Sequence, residues 1–227
     1  MTTTALAPLV RYQLALLARS QRWLAPVLLY AAFVAVGVQG GQPVLDSLGY
    51  GAAALLPVAA WLTRLCVTGE PPAARYCAAA ATSPARAHLA ALLTAFGCAA
   101  ALGAAATAFV VLVSKWADTD GQVRINPLDA AGAGLLAVLT CALLGTAVGA
   151  LGSRPVLHGT GWSIALTATG TLLALVTAGS PARLTVNALV GGSHAGAVAL
   201  PLVPLAVAVL LAAAAGAVVC GLSSRRG

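Results

Sequence analysis

Charge is what this sequence has least of: only 7% of its residues are charged and five are acidic. A soluble domain needs about a quarter of its residues charged to cover its surface. The shortage excludes a water-soluble globular fold, and a mean hydropathy of +0.96 points the same way. Segments of about ten residues alternating apolar and polar are absent, which removes a membrane β-barrel. Long apolar runs recur instead, and in lipid only a helix satisfies its own backbone over such a run. The expected class is all-α, a polytopic membrane protein.

Other absences narrow the chemistry. No GxxxxGK[ST] loop occurs, so the chain does not cradle ATP by that device. HExxH, GxSxG and paired membrane aspartates are missing too, which leaves little room for an intramembrane enzyme. Asp46, Glu70, Asp118, Asp120 and Asp129 all lie outside the apolar runs or near their ends, whereas an ion-driven carrier places ionisable groups within the bilayer. Cys66, Cys77, Cys98, Cys141 and Cys220 form no CxxC or His/Cys ligand spacing and read as small buried thiols. The basic residues are spread singly between apolar runs rather than gathered in a patch, so nucleic acid is not an expected partner.

What is present is a series of six apolar runs, at about 24–40, 48–68, 88–114, 128–151, 161–179 and 200–222. Each is long enough to cross a hydrocarbon core about 30 Å thick, the first only if little tilted, which gives six expected spans. With the N-terminus inside, Arg11, Arg19, Arg22, Arg75, Arg86, Arg154, Arg225 and Arg226 fall on the inner side, and only Lys115, Arg124 and Arg183 on the outer. Cytoplasmic loops carry the excess of basic residues, so the expected orientation is N-in and C-in. Arg64 sits near the inner end of the second run, within snorkelling reach of headgroups. A cleaved leader is the alternative reading of the first run; the long amphipathic segment before it and the poor cleavage sequence "VQGGQP" argue against it.

Residues 1–23 are expected to form an N-terminal interfacial helix, with Arg11, Arg19 and Arg22 on one arc and Leu6, Leu9, Val10, Leu14 and Leu17 on the rest. Such a helix turns arginines to lipid phosphates and leucines to acyl chains. Residues 24–222 form the transmembrane domain and 223–227 a cytoplasmic tail.

Three polar interruptions are candidate sites. "TGEPPAARYCAAAATSPARAH", residues 68–88, reads as a short helix opened by Pro71 or Pro72, followed by a restart at Pro84 capped by Thr82 or Ser83. It offers Glu70, Arg75 and Tyr76 to a cytoplasmic partner. The loop "GSRPVLHGTG", residues 152–161, adds Arg154 and His158 on the same side. The outer stretch 181–199 is too apolar for a solvated loop and is broken by Gly191 and Gly192. It reads as a re-entrant pair of short helices carrying Asn187 and His194.

An interfacial N-terminal helix, six spans, a helical loop after the second and a broken segment before the sixth together resemble the membrane subunit of an ABC-2 type transporter. "RYQLALLARSQRWLAP" (11–26) and "LLPVAAWLTRLCVTGEPPAARYCAAAATSPARAHLAALLTA" (55–95) are similar to actinobacterial permeases of this size. The resemblance implies an export permease of a bacterial plasma membrane, not itself an enzyme, that works as a dimer with a second copy or a paralogue. ATP and Mg would be held by a separate ABC ATP-binding subunit. By the same resemblance 69–82 would be the coupling helix, 152–160 a second contact and 181–199 the re-entrant hairpin. The rival readings are a membrane anchor or assembly protein that recruits another partner, and a secondary carrier.

Overall fold

The computed structural model describes residues 6–153 and 160–226, and these form an all-helical bundle. Its elements are α1 (Leu6–Ser20), α2 (Leu24–Gly37), α3 (Val44–Thr68), α4 (Pro72–Ala81), α5 (Pro84–Val113), α6 (Pro127–Leu151), α7 (Thr160–Val176), α8 (Pro181–Ala195) and α9 (Leu202–Arg226). Four helices, α3, α5, α6 and α9, are each long and apolar enough to cross a membrane. A fifth crossing arises if α7 and α8, bent by 42° at their junction, count as one broken span.

At the centre α3 lies against α6, and the sequence explains how closely. A Cβ at Gly145 would fall 2.5 Å from the Leu56 carbonyl oxygen, and one at Gly149 would fall 2.6 Å from that of Ala60. The glycines let the two backbones touch, which is the packing that small residues at four-residue spacing allow in membrane helices. Leu55, Leu56, Ala59, Ala137, Cys141 and Ala142 are buried around this seam. The two helices run parallel, since Leu48 meets Gly134 at one end while Thr63 meets Gly149 at the other. Large apolar side chains point outward from the periphery, among them Leu28, Leu112, Leu172 and Leu210, as expected where lipid replaces water.

The bundle has two chemically different ends. One gathers α1, the C-terminal end of α3, α4 and the start of α5, and Cys220 near the end of α9 reaches the Ala85 carbonyl there. Arg11, Arg19, Arg22, Arg64, Arg75 and Arg86 all belong to this end, with Glu70 alone opposing them. At the other end, Lys115 exchanges backbone bonds with Gln42 and Val44, and Thr119 bonds the Ser193 carbonyl. That end carries Asp46, Asp118, Asp120 and Asp129.

Three expectations are corrected. The first run yields only the 14 residues of α2, about 21 Å of helix at 1.5 Å per residue; it ends before Gly40 and Gly41, the latter at φ +88°. Arg22 does not continue the arc of Arg11 and Arg19, because α1 ends at Ser20 and Gln21 takes a positive φ of 53°. The stretch 181–199 is not a pair of short helices. A single helix, α8, runs through Gly191 and Gly192 and closes at Gly196, a left-handed C-cap at φ +64°.

Nor does the chain double back before α8. Thr167 faces Gly152 while Gly170 faces Val148, so α7 is antiparallel to α6. Gly192 approaches Leu45 while Gly49 meets Val186 and Leu189, so α8 is antiparallel to α3. Because α3 and α6 are parallel, α7 and α8 advance in the same direction. Gly179 at φ +88° breaks the first helix and Pro181 restarts the second, a bend and not a reversal.

Candidate functional site

Local sequence shapes the polar corner between α3 and α5. The helix α3 stops at Gly69, and Pro71 and Pro72 allow a new start because a proline in the first turn forfeits no helical bond. After α4, Ser83 in extended conformation accepts the Arg86 N–H at 3.3 Å, and Pro84 opens α5. The 10-residue α4 is too short to persist alone, and it packs mainly along α5.

Arg75 fastens α4 to the end of α3. Its Nη2 donates to the carbonyl oxygens of Val67 and Glu70, both at 3.3 Å. Those carbonyls lie where a helix ending leaves acceptors unpaired, and a guanidinium suits the negative end of the α3 dipole. Arg75 is half-buried in doing so.

Glu70 behaves differently from expectation. It is 7% exposed, and its Oε2 accepts from Gln13 Nε2 at 3.2 Å, while its Oε1 is buried with no hydrogen-bond partner. The carboxylate therefore faces α1 and is not available at the surface. Gln13, 4% exposed, is a residue the sequence reading passed over; the signal was a lone amide amid leucines on the apolar side of α1. Burial pushes the Tyr12 phenol up, and the nearby Glu70 carboxylate adds to the rise.

The surface of the corner is left to Tyr76, 72% exposed, and to Cys77 beside it. Between α1 and the end of α3 opens a cleft of about 260 Å³, with Gln13 and Leu65 on its walls and Arg22 at its rim. Arg64 is half-buried in the last turns of α3. Arg11 and Arg19 are exposed along α1. Arg154 and His158 lie outside the described residues. His88, also overlooked in sequence, carries a buried Nε2 without a hydrogen-bond partner.

At the far end, Asn187, Gly191 and His194 share the exposed face of α8 with Arg183. Thr185, Leu189, Gly192 and Ser193 form the buried face. Arg183, Asn187 and His194 thus lie on the exposed side of α8 and do not converge with the corner at the other end. Among the described residues no group of three or more His, Cys, Asp or Glu could hold a metal ion. Compared with protein-family models, with curated proteins and with solved structures, the chain matches none.

Proposed function

We propose that this chain is the transmembrane permease subunit of an ABC-2 type exporter in a bacterial plasma membrane, paired with a second copy or a paralogue and driven by a separate ATP-binding subunit. In this reading α2, α3, α5, α6, the broken pair α7–α8 and α9 make six crossings. The arginine-rich end faces the cytoplasm, following the bias of basic residues, and α1 lies along the inner leaflet. The short α2 crosses only where the bilayer thins locally, a cost of fractions of a kcal/mol per Å of mismatch.

The observation that carries the reading is the build of α4. It is a separate alanine-rich helix at the basic end, open to a partner through Tyr76, tied by Arg75 to α3 and packed along α5. A push on α4 is thereby delivered to two crossings at once. ATP and Mg belong to the partner, where a nucleotide loop supplies what this sequence lacks. Co-purification tests the proposal: an ABC ATPase should accompany the protein, and Tyr76→Glu should weaken that association without unfolding the bundle.

A further inference from the structure

The cleft beside α1 has no role in the proposal above. Its walls are formed by Leu16 and Leu17 of α1 and by Leu65 and Cys66 of α3, with Gln13 at one side and Arg22 at the rim. Arg22 is exposed, and among the described residues no carboxylate pairs with it. Behind Gln13 lies the Glu70 carboxylate, one oxygen of which is buried and unpartnered.

A pocket with an apolar wall, a cation at the mouth and an anion behind an amide matches a zwitterionic amphiphile. We infer that the cleft holds one phospholipid with a primary-amine headgroup, its phosphate on Arg22, its ammonium toward Gln13 and Glu70, and an acyl chain along Leu16, Leu17 and Leu65. The amide nitrogen of Gln13 is engaged with Glu70, which leaves its carbonyl oxygen to accept from the ammonium. An ammonium also lessens the cost of a buried carboxylate that one amide cannot fully compensate. A glycerol headgroup would meet Arg22 equally well but bring no positive charge to Glu70. The bound lipid acts as a filler that holds α1 to the bundle. The inference requires that the protein sit in a membrane and does not depend on the ATPase partner.

The test is a lipid titration of the purified full chain, read by native mass spectrometry. Phosphatidylethanolamine and phosphatidylglycerol with the same acyl chains are added separately. One copy of the ethanolamine lipid should bind about tenfold more tightly than the glycerol lipid, the size of one charge-assisted contact. Arg22→Ala and Ser20→Trp, both at exposed positions on the cleft rim, should each weaken binding by about tenfold or more. Glu70→Gln should bring the two lipids close to equal. Equal affinity for both lipids in the unmodified protein overturns the inference, as does ethanolamine-lipid binding that neither rim variant alters. A missing ATPase would sink the permease proposal and leave this result unaffected.

Discussion

Gln13 donates to Glu70 across 3.2 Å, linking residues 57 positions apart, and this one bond joins the N-terminal helix to the corner from which α4 departs. Both partners are more than nine-tenths buried, so the bond is screened little by solvent. It makes α1 and the α3–α4 corner one mechanical unit. A partner that moves α4 would move α1 with it.

Gln13→Leu leaves the Glu70 carboxylate buried without its donor and is expected to cost about 2–3 kcal/mol. Glu70→Gln retains a hydrogen-bonding group and should cost less than about 1 kcal/mol. Unfolding in mixed detergent measures both, and proteolysis near residues 20–23 should accelerate only in the first. Equal stability of the two variants would show that the bond contributes nothing.

The α3–α6 seam makes a sharper contrast. Gly145→Ala sets a Cβ 2.5 Å from the Leu56 carbonyl oxygen, and such overpacking costs about 1–3 kcal/mol. Gly132→Ala meets nothing within 4 Å and should be neutral or stabilising by up to about 1 kcal/mol. Thermal midpoints in detergent should separate the pair, and similar midpoints would contradict the close backbone approach.

Removing the cap of α5 is a local test. Ser83→Ala loses the acceptor for the Arg86 N–H, at a cost of about 1 kcal/mol. Ser83→Asp preserves it and should restore stability. Failure of Asp to rescue would mean that the loss arises elsewhere in the corner.

Orientation can be read from thiols. Cys77 is exposed while Cys66 and Cys141 are buried, so an impermeant maleimide should label Cys77 in inside-out vesicles and not in right-side-out ones. Cys66 and Cys141 should stay unlabelled in both. Labelling of Cys77 only from the outer side would invert the proposed topology.

Local signals made much of this architecture legible. Pro72 and Pro84 mark the starts of α4 and α5 because proline fits the first turn, and Ser83 carries its capping role in its own side chain. The direction taken after a break was not legible. Gly179 and Pro181 announce an interruption equally well for a hairpin or for a bend, and only packing on α3 and α6 decides between them. Glu70 looked available for a similar reason: its partner is far away in sequence, and nothing near position 70 names Gln13. The Gly145–Gly149 spacing permits close helix approach, yet nothing near it in sequence names α3 of the same chain as the neighbour.

If α4 docks an ATPase, purification of the tagged protein from its native membrane in mild detergent should bring that ATPase with it. A stoichiometric Walker-motif ATPase should be recovered and should be lost with Tyr76→Glu, while stability stays within the change expected of an exposed substitution, about 0.5 kcal/mol. A well-folded protein recovered with no such ATPase would contradict that docking.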